Sequence, residues 1–402
     1  MSKAKLVIVV LLVGISFVLY SQEKIKSTGQ IPIVAWHGIY CDEMTIERFK
    51  EQKAAGFTIN FSNCPNNEAL KKALDAAQKA GMQLIISTPE LHDEPEKTVK
   101  LFMNHPAVAG YFLKDEPLAS EFAALGEWAK RIQAVDNKKF CYLNLFPTGG
   151  QAHLDALGVK SYREYISRFN EEVPLPFLSF DHYPIMDDSI KVEWYENLED
   201  FSDEAKKAGK DFWAFALATH HSLPGGVYPI PTLAMLRLQI YSNFAYGAQG
   251  LQYFTYSTPR HDAFDYQNGP IGLDGKRTEV YDLVKEMNEE IKRISGVFLG
   301  AKVLSVHHVG NTIPYKTRRL TALPDKVKAL DTHGAGALVS IMENQGNKYI
   351  IIVNRSFKEE MKLTFVADKS MKRILKDGSI VPADSYTSTM TVLPGDIMIY
   401  MY

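Results

Sequence analysis

The segment from Gly110 to Ser120 (GYFLKDEPLAS) places two adjacent carboxylates where an enzyme would use them. An apolar run from Val108 to Leu113 stops at Asp115 and Glu116, and Pro117 then bars the chain from continuing as a strand. A buried parallel strand ending in a paired acid presents a proton donor at the catalytic face of a barrel. The plainer alternative is a solvated turn that carries acids. The rank of this strand, fourth of eight, favours the first reading.

The elements that would position the acids follow from punctuation. Three helical patterns end in Ala-Gly, at Gly56, Gly81 and Gly209, and each drops directly into a short apolar run. Trp194, Leu198, Phe201, Ala205 and Ala208 form one apolar stripe of helical period, and Val280, Leu283, Met287, Ile291 and Ile294 another. Strands are expected at 32–36, 58–61, 84–87, 108–113, 140–145, 178–180, 212–217 and 251–254, with the last helix near 278–295. Eight βα units predict a (β/α)8 TIM barrel over 31–296, and no Gly-rich phosphate turn follows the first strand to support an open doubly wound sheet. Beyond residue 296 the texture becomes short alternating runs between Gly, Asn and Asp turns, which predicts a small C-terminal β-sandwich over 297–402.

In that register the strand ends name what reaches the mouth. They are Trp36 and His37, then Asn63, Glu90, the Asp115–Glu116 pair, Asn144, Asp181 with His182 and Tyr183, His220, and finally Tyr253 and Tyr256. Acids from strands three, four and six converge with aromatic rings from strands one, six and eight. Aromatic faces stack on sugar rings and paired carboxylates cleave glycosidic bonds. The duller readings are that Trp36, Tyr253 and Tyr256 close the core, and that Glu90 pairs with a cation of its own loop. The adjacent His220 and His221 invite a metal reading alongside Asp181 and His182, but neighbours on an extended segment point opposite ways and strand one lacks a His-x-His, so a hydrogen-bonding histidine is the favoured reading. No metal and no other cofactor is expected.

Net charge is −2 with no basic block, which argues against nucleic acid as a partner. Lys3 and Lys5 precede an uncharged stretch from Leu6 to Ser21, too short for a membrane span, so residues 1–21 read as a cleaved export signal and 22–30 as a linker. The expected product is an exported protein with no stable membrane insertion. Cys41, Cys64 and Cys141 are too few for a disulfide framework and lack zinc spacing; one bridge fits an oxidising compartment, but each reads first as a small buried hydrophobe.

Three features resemble the clan A glycoside hydrolases, and especially the family 42-like β-galactosidase group. Glu116 ends the fourth strand. The eighth unit reads AQGLQYFTY from Ala248 to Tyr256, and the stretch from Gly269 to Thr278, with Tyr281 and Asn288 to Ile291, is similar to the lead into the last barrel helix. The likeness spans roughly 31–296. It implies a retaining β-glycosidase with Glu116 as acid/base. The chain departs from that group twice: Asp115 stands where an Asn is usual, and the segment from Ala216 to His221, at the end of strand seven, holds no Glu to serve as nucleophile.

The expectation is therefore a glycoside hydrolase acting on a carbohydrate, with Glu116 as proton donor and Asp181 as second carboxylate. Trp36 would stack on the sugar, while His37, Asn63, Glu90, Asp115, Asn144, His182, Tyr183, His220, Tyr253 and Tyr256 would contact it. The rival from another class is a carbohydrate-binding barrel without catalysis, which the acid-free end of strand seven supports. A metal-dependent hydrolase using the histidines is the third reading.

Overall fold

The computed structural model describes residues 23–260, 264–383 and 389–402. The export signal read at 1–21 and the loop acid Asp262 lie outside them. Eight parallel strands form a barrel: β1 (Ile33–Trp36), β2 (Ile59–Phe61), β3 (Gln83–Ile86), β4 (Val108–Asp115), β5 (Phe140–Asn144), β6 (Phe177–Phe180), β7 (Asp211–Leu217) and β8 (Gly250–Phe254). Their order is β5-β4-β3-β2-β1-β8-β7-β6, and a parallel bridge between Leu145 and Phe180 closes the ring. Each lies within two residues of its expected position.

Alternation along the strands makes two cores. Val34, Trp36, Ile59, Phe61, Ile85, Tyr142, Phe177, Trp213 and Phe215 fill the barrel interior. Ile33, Ala35, Leu84 and Ile86 face outward, onto the helices. The interior is crowded with rings: Trp213 stacks on Phe177 at 4.1 Å, and a Cβ at Gly250 would sit 2.5 Å from the Trp213 indole. The helix Trp194–Ala208 buries Trp194, Leu198, Phe201 and Ala205 of its expected stripe, and Gly209, at φ 64°, supplies the left-handed turn that ends it.

Among the described residues the C-terminal region has nine antiparallel strands: β9 (Lys302–Val309), β10 (Val327–Asp331), β11 (Ala337–Asn344), β12 (Asn347–Asn354), β13 (Met361–Ala367), β14 (Lys372–Ile374), β15 (Ile380–Pro382), β16 (Thr389–Val392) and β17 (Ile397–Met401). Six form the sheet β9-β11-β12-β17-β14-β15 and three the sheet β10-β13-β16. The sequence read most of them and passed over β10, β14 and β15, which are short and carry Lys328, Lys372 and Arg373. In β12, Tyr349, Ile351 and Val353 join the core of the barrel, while Ile350 and Ile352 face the three-stranded sheet. One sheet thus seals the barrel's flank. At this seam Arg237 pairs with Glu290, both buried, and the Tyr241 hydroxyl donates to the same carboxylate.

Cys41 and Cys64 form a disulfide, their Cα atoms 5.3 Å apart, whereas Cys141 is buried and unbridged. This corrects the reading of all three as buried hydrophobes. The pair is separated by 23 residues in sequence, but β1 and β2 are neighbours, so the loops at their C-terminal ends meet. The bridge ties together the wall that carries Tyr40 and Asn63. Replacing both cysteines by serine is expected to lower unfolding stability by about 2–4 kcal/mol. Denaturant titration checks this, and a reducing agent should bring the wild type to the same midpoint.

Candidate active site

The C-terminal ends of β4, β5 and β6 bring three carboxyl groups into one cavity of about 410 Å³, which Asp115, Glu116, Asn144, Asp181 and Tyr183 line. Asn144 organises them. Its Nδ2 donates to Asp115 Oδ1 at 3.2 Å and to Asp181 Oδ1 at 2.7 Å. The orientation of its amide is fixed from below, because Ser179 Oγ donates to Asn144 Oδ1 at 2.9 Å and itself accepts from Gln252 Nε2 at 2.8 Å. The Tyr142 hydroxyl in turn donates to Gln252 Oε1. A buried polar chain inside the barrel therefore leaves the amide N–H groups facing the acids.

Glu116 is held by its backbone. Its N–H donates to the Asn144 carbonyl at 2.8 Å, and its φ of 47° puts a non-glycine residue in the left-handed region. Such a conformation costs of order 1–3 kcal/mol and persists only where its surroundings enforce it. Here it turns the carboxyl onto Asp181, with which it hydrogen-bonds. His37, at the end of β1, has φ 41°. The Tyr165 hydroxyl donates to the Pro117 carbonyl at 2.6 Å and fixes the turn that follows the acids.

Three acids in one enclosure cannot all ionise near neutrality. Burial, then the charges of Asp181 and Asp115 and the hydrogen bond to Asp181, push Glu116 up to about 9. Asp115 is open to the cavity yet walled in by protein, and that desolvation together with Asp181 pushes it up to about 7. Burial also raises Asp181, against the donated hydrogen bonds of Asn144 and Tyr183. The arrangement is a proton-sharing cluster with Glu116 as the member that keeps its proton longest. His182 is buried and pushed down to about 3, so it is neutral.

Most of the residues read from strand ends meet here, and several do not. Trp36 lines this cavity and a second one beside it, packed on Phe61 at 4.4 Å and on Phe215 at 5.4 Å. His37 and Asn63 line the second cavity only. Tyr253 is wholly buried on the outer side of β8, where its hydroxyl donates to Asn288 at 2.8 Å. Tyr256 is buried against Phe57. Both belong to the core: the pleat of β8 turns Gln252 and Phe254 inward and Tyr253 outward, and Tyr256 lies beyond the end of that strand. Glu90 also leaves the site. It accepts from the Asn67 backbone N–H at 3.1 Å, at the start of the helix Asn67–Ala80, and so serves that helix N-terminus. His220 pairs its backbone with Gln267, and it is His221 that lines the acid cavity.

Several wall residues were missed, among them Glu193, Phe254 and the four that follow. His221 stacks on Tyr228 at 4.5 Å and lies 4.7 Å from Tyr266, and Lys191 Nζ donates to the Tyr228 hydroxyl at 2.6 Å. These side chains arrive on loops, Tyr228 from a two-stranded ribbon (His221–Leu223 with Gly226–Tyr228) after β7. The end of β7 itself runs from Leu217 to His221, as read, and carries no acid. Asp265, in the loop after β8, accepts from the Ser222 backbone N–H at 2.8 Å and does not line the acid cavity. Among the described residues no group of three His, Cys, Asp or Glu side chains is disposed to hold a metal ion, and no helix is long and apolar enough to cross a membrane.

The sequence profile of the glycosyl hydrolase 42 family, described as beta-galactosidase, matches residues 159–294, which hold β6 to β8 and their helices. The resemblance seen in the sequence is thus matched over that half of the barrel. No curated protein matches the chain. Among solved structures, the β-galactosidase of Bacillus circulans sp. alkalophilus is similar at a TM-score of 0.61 and 10% identity, with 92% of this chain and 99% of that one covered. A catalytic mutant of a family 42 β-galactosidase from G. stearothermophilus gives 0.56 at 8% identity, covering 94% and 99%. The β-galactosidase of the psychrophilic Marinomonas ef1 gives 0.49 at 12% identity, covering 65% of this chain; the present chain spans 59% of that protein's length. The first two likenesses establish a shared fold.

A carboxyl whose folded pKa lies above its unfolded value loses stability as pH rises between the two. Glu116 is such a group, with an ordinary value of 4.5 and a folded value of about 9. Glu116→Gln should therefore raise the melting temperature by about 2–4 °C or more at pH 8, with the gain vanishing near pH 4. Thermal unfolding of both proteins across that range checks the sign.

Proposed function

We propose that this chain is a glycoside hydrolase that cleaves a β-galactoside-like bond by carboxyl chemistry. The observation that carries the reading is the acid cluster itself, three carboxyl groups at the strand ends of a barrel with one of them held protonated. The partial match to a β-galactosidase family supports the substrate class. Glu116 donates its proton to the departing glycosidic oxygen, a role that requires an acid still protonated at neutral pH.

Asp181 touches Glu116, so the two are closer than the carboxyl pairs that flank a sugar in retaining enzymes (about 5–5.5 Å) or inverting ones (about 6.5–9.5 Å). Its first role is then to hold the Glu116 proton. Asp115 becomes the carboxylate that faces the sugar, from the ridge between the two cavities. One amide nitrogen of Asn144 reaches both Asp115 and Asp181, which ties the carboxylate that faces the sugar to the one that holds the Glu116 proton. Tyr183, His221 and Lys191 are placed to contact hydroxyl groups of the bound ring.

The acid-free end of β7 favours a second reading, a carbohydrate-binding barrel without turnover. Hydrolysis of a panel of aryl β-glycosides separates the two. The hydrolase reading expects Glu116→Gln to lose at least about 100-fold in kcat/KM, within the range for a general acid; wild-type inactivity on every member, with binding intact, would favour the second. Export is proposed as well, supported by the Cys41–Cys64 bridge, which persists in oxidising compartments. A mature protein lacking its first 21 residues is the expected mass.

The pH profile gives a finer check on Asp181. Its charge helps keep the Glu116 proton on, so Asp181→Asn should move the basic limb of kcat/KM to lower pH by about one unit or more. An unmoved limb would remove Asp181 from this role.

A further inference from the structure

Beside the acid cavity lies a larger one, of about 980 Å³, over the ends of β1 to β4. The two share Trp36 and Asp115, so they form one bilobed mouth with those side chains as the ridge. We propose that the larger lobe binds the remainder of a neutral oligosaccharide whose reacting unit lies among the acids, with the Trp128 indole as its outer platform. The inference rests on the hydrolase reading for its orientation and adds the substrate's length and charge.

Size comes first. Pockets for small ligands run to about 300–1,000 Å³, and the acid lobe alone takes up the lower part of that range. A monosaccharide with a small leaving group needs no more than that lobe. A second chamber more than twice as large, opening across a shared ridge, fits further sugar units joined to the first.

The lining has the chemistry of sugar recognition. Phe61 and Phe112, with centroids 4.6 Å apart, lie under the chamber beside Trp36, and Trp128 stands on the helix Phe122–Val135 with the His92 ring edge-on at 5.1 Å. Such apolar faces receive the C–H side of a pyranose. The Trp128 Nε1–H is buried and has no hydrogen-bond partner among the described residues, although an indole N–H is rarely left unsatisfied. Ser62 and Asn63 add polar contacts along the floor.

Charge excludes an acidic chain. The cations of the chamber are already engaged: Lys114 Nζ pairs with Glu121 at 2.6 Å, and Arg131 grips Glu96 through two hydrogen bonds of 2.6 and 2.8 Å. Asp115 lines the chamber as well. Among the described residues a uronate or sulfated chain would meet only cations already paired with Glu121 and Glu96 and would face an acid, whereas a neutral oligosaccharide meets rings and hydrogen-bonding groups.

The test compares chain lengths. Wild type, Trp128→Ala and the more conservative Trp128→Phe are assayed on an aryl β-galactoside and on neutral β-linked tri- and tetrasaccharides of galactose, glucose and xylose. The proposal expects Trp128→Ala to lower kcat/KM for the preferred trisaccharide at least tenfold relative to that for the aryl glycoside, through KM, with Trp128→Phe recovering much of the loss. Binding to Glu116→Gln is read independently by calorimetry and by tryptophan fluorescence, since the chain has only four Trp. Trisaccharide should bind this variant more tightly than monosaccharide and perturb a fluorescence signal that vanishes in the Glu116→Gln, Trp128→Phe double variant.

Equal losses on short and long substrates, or oligosaccharide affinity no better than that of a monosaccharide, would overturn the inference while leaving the hydrolase reading in place. Oligosaccharide binding that depends on Trp128, with no cleavage of any substrate, would overturn the hydrolase reading and keep the inference.

Discussion

At the barrel mouth the strand ends crowd three carboxyl groups together with fewer protons missing than free acids would show, and the rest of the site is arranged around that constraint. Desolvation, and then the nearby charges of Asp181 and Asp115, keep a proton on Glu116, and the amide of Asn144 makes the crowding tolerable by donating to both aspartates. The amide faces that way because Ser179, Gln252 and Tyr142 occupy its other side. A buried polar chain of this kind works only when every member is satisfied. The barrel therefore does more than carry residues to one face. Its interior determines which atom of Asn144 the acids meet.

Stability and function are set against each other here. The left-handed backbone of Glu116 and the desolvation of its neighbours both cost free energy. The surrounding structure supplies the compensation: a ring-filled interior, a disulfide between the first two loops, and a six-stranded sheet whose face merges with the core of the barrel. The Arg237–Glu290 pair at that seam is buried and hydrogen-bonded, and Lys376 and Asp396 extend it into a network. The C-terminal strands contribute no group to the acid cavity. Their contribution is to the rigidity of the scaffold.

Much of this was legible in the sequence, for particular reasons. Asp115, Glu116, Asn144 and Asp181 stand where apolar runs stop, and a parallel barrel presents those positions on one face. Side-chain direction was harder to read. On β8 a shift of one residue separates the core residue Tyr253 from the cavity residue Phe254, and after β7 the same ambiguity exchanged His220 for His221. Glu90 illustrates another limit, since an acid near a strand end can equally serve a neighbouring helix. Tyr228, Tyr266 and Lys191 come from loops that fold back across the mouth, and Cys41 meets Cys64 only because β1 and β2 are adjacent. Such contacts depend on tertiary placement, which no local period encodes.

The central claim is that Glu116 carries a proton at neutral pH. Infrared difference spectroscopy between the wild type and Glu116→Gln at pH 7 reads it directly, through the carbonyl stretch of a protonated carboxylic acid. The account predicts such a band in the wild type, absent from the variant and fading as pH rises toward 9. A wild type showing only ionised carboxylate at pH 7 would contradict it.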